Sequence, residues 1–315
     1  MKNVCKLGVL AFSAAMIVGS LAGCGKKSGN AATSANAVTF TVTADVTGDR
    51  APYVEQFAEL VQKKTNGRYV GNIIAAGSLG TGADAAQMLH MGTLDVLMSD
   101  DMTMDGVLDG KLGFAWLPGL VSDNEDAQKV YDHGWIADQV ADIMAQNQLI
   151  RISSYCNGFR QVGNIKRSVT EMADLKGMKI RVPASKLFID TLNAMGASAV
   201  PMSFSETISA LQQNVIDGLE GSYATNYLTK TYELRKNMSL TKHFLGTAGV
   251  YISTKVWDKL TDEQKAIIQE EFDKAAENNN KNLVELDKEL VKNLEDAGVK
   301  INEVNLPEFA KLVEP

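Results

Sequence analysis

Along this chain, short β-branched runs with alternating apolar positions are separated by stretches in which apolar residues recur every three or four places. Val38 to Ala44 (VTFTVTA) alternates and predicts a first strand. Ala51 to Asn66 places Val54, Phe57, Leu60 and Val61 on one face, with Lys63 and Lys64 in the last turn and Gly67 as a stop, which predicts a helix. A strand near Tyr69 to Ala75 follows. Gly77-Ser78-Leu79-Gly80-Thr81-Gly82 then opens a helix over Ala83 to Met91, and a strand over Leu94 to Ser99 completes a β-α-β-α-β unit. Crossovers of this kind make a parallel sheet.

The pattern continues with an amphipathic helix over Asn124 to Asn147 and a strand over Leu149 to Tyr155. Asn157-Gly158-Phe159-Arg160 reads as a turn into a second lobe. There, the MKIRV run at Met178 to Val182 sets Met178, Ile180 and Val182 on one face and Lys179 and Arg181 on the other. Pro183 ends the strand. Arg181 thus falls near the carboxyl end of a strand, where open α/β sheets place ligands; taken alone, such an arginine is also what a solvated surface charge looks like. Ser203 and Glu206 fit a capping box that starts a helix at Phe204. Ala248 to Ser253 (AGVYIS) predicts a strand returning to the first lobe.

From Thr261 to Ala297 the period is helical almost throughout, opening on a second capping box, Thr261 with Gln264. A continuous helix of that length spans about 50 Å, more than one lobe of a chain this size, so it is expected to bridge two. Asn278-Asn279-Asn280 marks an expected bend and Gly298 a stop. A last strand over Val299 to Val304 and a short helix over Pro307 to Val313 complete the expected elements. There is no internal repeat.

The first residues stand apart from this pattern. Lys2 and Lys6 precede an apolar run from Leu7 to Val18, too short to span a bilayer as a helix, and small residues lead to Leu21-Ala22-Gly23-Cys24. The tetrapeptide resembles a bacterial lipobox, with cleavage before Cys24 and lipid on its thiol; an ordinary cleaved signal with an incidental cysteine is the alternative. Residues 1–23 are thus read as a lipoprotein signal peptide and 24–37 as a flexible tether, whose Gly, Ser, Asn and Ala composition gives a reach of roughly 20 Å. Loss of Lys2 and Lys6 moves the formal charge from −7 to −9. That acidic balance argues against nucleic acid as a partner. With Cys5 in the leader and Cys24 lipidated, Cys156 is left alone, so no intrachain disulfide and no cysteine metal site are expected.

Catalytic chemistry is hard to assemble from these residues. His90, His133 and His243 belong to no metal-binding spacing, and neither a Gly-x-Ser-x-Gly elbow nor a dinucleotide fingerprint occurs. The glycine loop lacks the Lys-Ser/Thr end of a P-loop. Asp101 to Gly106 begins like a calcium loop, but Leu112 stands where that loop needs a bidentate Glu. Asp100-Asp101 and Glu270-Glu271 read as solvated charges. No cofactor or metal is expected.

An exported chain with two α/β lobes, a bridging helix and no catalytic kit points to solute binding. Gly177-Met178-Lys179-Ile180-Arg181-Val182-Pro183, Gly196-Ala197, Phe204-Ser205-Glu206, Ala210-Leu211-Gln212-Gln213 and Asp217-Gly218-Leu219-Glu220 resemble the extracytoplasmic solute-binding subunits of tripartite ATP-independent (TRAP) transporters. So do Gly77-Ser78-Leu79-Gly80, Gly92-Thr93-Leu94-Asp95 and Gly158-Phe159-Arg160, and the order and spacing hold from about Val38 to Asn280.

The resemblance implies an α/β, two-lobed periplasmic-binding-protein-like fold (type II-like) with a long C-terminal helix bridging both lobes. Residues 38–158 plus 247–286 form the expected N-terminal lobe, and 159–246 plus 287–315 the C-terminal lobe. It also implies that a small organic acid is captured in the cleft and handed to the membrane subunits of a TRAP permease, at the outer face of the cytoplasmic membrane or in the periplasm. The arginine of the KIRVP segment pairs with the ligand carboxylate in that family, a role that falls on Arg181. Arg160 matches a second arginine reaching the same site, Phe204 an aromatic lining it, and Ser78, Glu220, Gly221 and Ser222 complete the candidate set. A guanidinium fits a carboxylate with two parallel donors. The chain departs from the family at Gly221-Ser222, where many members carry Asn-Pro and the Asn contacts the ligand. A sensor subunit serving a chemoreceptor or histidine kinase, and an exported enzyme on a two-lobe scaffold, are the alternative classes.

Overall fold

The computed structural model describes residues 37–44, 51–121, 130–131, 134–306 and 308. The leader, Cys24, the tether, the start of the helix expected from Asn124 and nearly all of the one expected over Pro307 to Val313 lie outside the described residues.

The first half of the chain builds the expected unit: β1 (Val38–Ala44), α1 (Ala51–Lys64), β2 (Tyr69–Ile73), α2 (Gly82–His90) and β3 (Val96–Asp100), followed by α3 (Asp101–Val107). Strand β1 pairs in parallel with β2 on one side and β3 on the other. Phe40, Val42 and Ala44 are buried with Val54, Phe57 and Val61 of α1, as their periods require. The segment that begins like a calcium loop is helix α3. In the glycine loop, Gly80 has φ +98°, and a Cβ there would meet Asp84 Oδ2 at 2.5 Å. Only glycine lets that carboxylate close the capping box with Thr81 that starts α2.

After α4 (Trp135–Gln146) comes β4 (Leu149–Asn164), 16 residues long. The turn expected at Asn157 to Arg160 is therefore absent: those residues stay in the strand. Strand β5 (Lys179–Val182), α5 (Lys186–Ala194), β6 (Ser198–Pro201), α6 (Phe204–Gln212), β7 (Gly218–Gly221) and α7 (Tyr223–Leu228) follow. Strand β8 (Asn237–Ser253), 17 residues, is far longer than the AGVYIS segment that predicted it. The chain ends in α8 (Thr254–Trp257), α9 (Asp262–Asp296) and β9 (Lys300–Asn302).

The strands form one hydrogen-bonded sheet in the order β2-β1-β3-β8-β4-β7-β5-β6, with β9 on β8. Three parallel strands lie at either end, and the antiparallel pair β4 and β8 joins them. This pair carries three register shifts, one between Cys156 and Gly158. Gly158, at φ +89°, faces Gly246 there. A bulge thus absorbs what the local Asn-Gly signal read as a turn, because a long ladder outweighs one dipeptide.

Helix α9 runs for 35 residues, about 52 Å at 1.5 Å per residue, and its Thr261–Gln264 capping box is formed. Ile268 and Phe272 pack into the first half beside Phe57 and Val250. Leu290 and Leu294 pack into the second beside Tyr223 and Met238. The helix therefore bridges the two halves. Asn278 to Asn280 do not interrupt it. Instead Asn279 Nδ2 donates to the Cys156 carbonyl at 2.8 Å, and Asn280 Oδ1 accepts from the Cys156 amide at 2.9 Å, pinning β4 beside its bulge. Cys156 is buried.

Candidate functional site

A cavity of about 380 Å³ opens between the halves. The first half contributes the glycine loop and Thr81 at the start of α2, Asp100 at the end of β3, and Met102, Thr103, Gly106 and Val107 of α3. The second contributes Arg160, Arg181, Pro183, Ala184, Met202 to Ser205 and Thr225. The halves also touch directly beside it: Ser185 Oγ donates to Asp105 Oδ2 at 2.9 Å. These walls are the carboxyl ends of strands and the starts of helices, where side chains from both halves converge.

Arg181 is the cation of this wall. Strand alternation puts Lys179 and Arg181 on the same face, but Lys179 lies exposed at the start of β5 whereas Arg181, two residues on, is held beneath the Met202–Phe204 segment and is only 5% exposed. Its Nε and Nη2 donate to the Met202 carbonyl, and its Cζ lies 5.5 Å from the centre of the Phe204 ring. Among the described residues no carboxylate lies within 4.0 Å of it and Nη1 has no acceptor. Burial draws its pKa down to about 10, which leaves it charged at neutral pH. The result is a desolvated guanidinium on a cavity wall, paired among the described residues with a carbonyl rather than a carboxylate.

Arg160 is held differently. Its Nε and Nη2 form a fork on Glu220, Nη2 to Oε1 at 2.8 Å, and its Cζ stands 5.3 Å from the centre of the Phe188 ring. His243 Nε2 approaches Glu220 Oε2 at 3.6 Å, and its Nδ1 is 2.8 Å from Thr241 Oγ1. Burial opposes the ionised form of Glu220, but the adjacent Arg160 outweighs it and holds the carboxyl at about 2. Burial lowers the His243 pKa, against the pull of Glu220.

The candidate residues thus separate. Arg181, Arg160 and Phe204 come together on the cavity wall. Glu220 stands behind it, joined to the wall through Arg160. Ser78 turns its hydroxyl to the Ala75 carbonyl, and Ser222 caps α7 by accepting from Thr225 N at 3.2 Å. Neither they nor Gly221 are among the described residues lining the cavity; Thr225, which Ser222 positions, is.

One acidic residue read as a solvated charge is not: Asp101 is 0% exposed, whereas its neighbour Asp100 is half-buried on the cavity wall. Tyr251 and Thr247 donate their hydroxyls to Asp101, and Arg151 Nη1 is 3.4 Å from it. No local signal marks Asp101 as buried, because its partners are distant in sequence. Thr81 and Thr103 also lie on the wall; in the sequence Thr81 is marked only by its Thr81-x-x-Asp84 capping spacing, and Thr103 carries no local signal.

Two α/β halves joined by long strands and crossed by one long helix, with two buried arginines on the wall of the cavity between them, are the architecture of a solute-binding protein. A family model described as bacterial extracellular solute-binding protein, family 7 (DctP), matches residues 46–315, and the chain belongs to this family. It is similar to the sialic acid-binding periplasmic protein SiaP of Vibrio cholerae, 28% identical over 290 residues, covering 91% of this chain and 89% of that protein. A TRAP periplasmic solute-binding protein of Fusobacterium nucleatum, solved with bound sn-glycerol-3-phosphate, is 34% identical with a TM-score of 0.80, covering 89% of this chain and 91% of its own. Another, from Chromohalobacter salexigens with bound D-glucuronate, is 27% identical with a TM-score of 0.80, covering 88% of this chain and 92% of its own. Among the described residues no helix is long and apolar enough to cross a membrane.

Proposed function

We propose that this protein is a lipid-anchored receptor that captures a small organic acid between its two halves, without turning it over, and delivers it to a TRAP-type permease in the cytoplasmic membrane. One observation carries the reading: Arg181 is a buried guanidinium on the cavity wall with no carboxylate within 4.0 Å among the described residues. A charge taken out of water in this way is stabilised by an anion brought to it, and in a water-poor cleft each charged hydrogen bond contributes about 1.5 to 3 kcal/mol. Because the chain is acidic overall, the attraction must be local. The anchor rests on the Leu21-Ala22-Gly23-Cys24 lipobox, and delivery on membership of the family. Arg160 stiffens the site through its fork on Glu220 and Phe204 covers Arg181, so both act in binding.

Carboxylates are the first reading of the acid, in line with the glucuronate held by the Chromohalobacter relative. A phosphate ester is the second, favoured by the glycerol phosphate in the Fusobacterium relative. A thermal-shift screen tests both, since a ligand that binds only the native state raises the melting temperature. Hydroxylated carboxylates or polyol phosphates are expected to shift it. Shifts with neutral sugars alone would overturn the reading. For the anchor, intact-mass measurement on membrane-extracted protein is expected to show a diacylglyceryl adduct on a chain beginning at Cys24; an unmodified chain would refute it.

A further inference from the structure

Five hydroxyl residues lie on the cavity wall among the described residues: Thr81, Thr103, Ser203, Ser205 and Thr225. A hydroxyl has one proton to donate, so its hydrogen bonds inside the protein decide what it can offer a ligand. Thr81 donates to Asp84 Oδ2 at 2.8 Å, and Ser203 donates to Glu206 Oε2 at 2.6 Å. With the Ser203 proton engaged there, the 3.0 Å contact between Ser203 Oγ and Ser205 Oγ takes the proton of Ser205. These three protons are held at the starts of α2 and α6. Thr103 makes no side-chain hydrogen bond among the described residues, so nothing fixes the direction of its proton.

Thr225 is different. Ser222, 0% exposed, accepts from the Thr225 amide at 3.2 Å and donates its own proton to Thr225 Oγ1 at 3.1 Å. Thr225 Oγ1 is therefore an acceptor toward Ser222, and its own proton has no acceptor among the described residues. The hydroxyl is polarised before any ligand arrives, and what it offers is a donor. Its flank is open as well: a Cβ on Gly221 would already touch Thr225 Cβ and Cγ2 at 3.9 Å, so a side chain there would lie against it. Strand β7 runs parallel to β5 with Leu219 opposite Arg181, so Arg181 and the start of α7 emerge at the same edge of the sheet.

We propose that Thr225 is a specificity-determining residue for the bound acid, its hydroxyl donating to an ionised carboxylate or phosphate oxygen, and that Ser222 is the positioning residue that orients it. The proposal rests on the anion-binding reading above. A hydroxyl that donates to an ionised oxygen makes a shorter and stronger bond than one between neutral groups. Arg181 supplies the charge that draws the acid in, and Thr225 adds a second donor whose direction is already set.

The experiment titrates the full chain with D-glucuronate and with sn-glycerol 3-phosphate by calorimetry. Thr225→Val keeps the shape of threonine without its hydroxyl and is expected to lose at least about fivefold in affinity for whichever probe the wild type takes. Thr225→Ser keeps the hydroxyl and is expected to stay within about twofold of wild type. Ser222→Ala is expected to weaken binding about threefold on its own and to add nothing in the Thr225→Val background, a coupling that loss of a helix cap alone does not produce. A smaller loss in Thr225→Val would overturn the proposal, as would a Thr225→Ser variant as weak as Thr225→Val. A Ser222→Ala loss that persists undiminished in the Thr225→Val background would overturn the positioning role. If Thr225→Val does not fold, Thr225→Ala replaces it in each comparison, and failure of both to fold would overturn the proposal by making the hydroxyl part of the fold. A wild-type protein that takes neither probe sinks the anion reading itself, and the proposal with it.

Discussion

Arg181 donates two hydrogen bonds to one acceptor, the Met202 carbonyl, at 3.0 and 2.8 Å. One edge of the guanidinium is thereby fixed to the chain, and rotation of the group is blocked before any ligand arrives. Preorganisation of this kind lowers the entropy lost on binding. Arg181→Ala is expected to abolish measurable binding of the acids that shift the wild-type melting temperature. Arg181→Lys keeps the charge but loses the fork, so it is expected to bind at least about tenfold more weakly. Calorimetry decides both, and wild-type affinity in either variant would remove Arg181 from the site.

Glu220→Gln leaves Arg160 without its carboxylate inside the second half. Breaking a buried pair from one side costs about 3 to 5 kcal/mol. The urea midpoint of the variant is expected to fall accordingly. A change below about 1 kcal/mol would show that the Arg160–Glu220 fork contributes little to the fold.

Asp101 joins α3 to β4 and β8 through Arg151, Thr247 and Tyr251, and Trp116 Nε1 extends the chain of contacts by donating to Thr247 Oγ1 at 2.7 Å. Asp101→Ala strands Arg151 and two hydroxyls in the interior. A loss of about 3 kcal/mol or more is expected from chemical denaturation, and the indole fluorescence of Trp116 reports the disruption. Near-wild-type stability would place these contacts outside the fold's essential set.

Asp287, on α9, packs its carboxylate against Gly158 at the β4 bulge, and its buried Oδ1 has no hydrogen-bond partner among the described residues. Burial raises its pKa from 3.8 to about 7. The native state therefore holds a proton there, between about pH 4 and 7, that the unfolded chain has released, so stability contributed by this site falls as pH rises through that window. Among the described residues, the buried Tyr223 hydroxyl lies within electrostatic reach of it. Asp287→Asn is expected to match wild type near pH 4 and to exceed it increasingly toward pH 8, in urea midpoints measured across the range. Parallel pH profiles for the two proteins would disprove the assignment.

What the sequence disclosed follows the range of the interactions involved. The capping boxes at Ser203 and Thr261 lie within four residues and were legible in full, as was the length of α9. Arg181 could be placed at a strand end by alternation, but its role needed the family resemblance, because the group that orients it is a backbone carbonyl without a sequence signature. Asn157-Gly158 misled: a dipeptide that favours turns lies within a ladder whose other strand begins some eighty residues later. Asp101 misled for a similar reason, since the groups that bury it lie 50 to 150 positions away. The Asn278 to Asn280 run looked like a helix defect and instead supplies side chains that hold β4.

The sheet order has a temporal consequence. Strand β3, made early, meets β8 as its neighbour, and β4 meets β8 along nearly its whole length. The second half cannot complete its sheet until Leu245 has been made, nor the first until Ile252, and neither is crossed by α9 until that helix has followed. A truncated chain ending before β8 would leave the edges of β3 and β4 bare, which are templates for strand addition by other chains. The molecule has two halves in space, but the completion of both waits on β8 and α9.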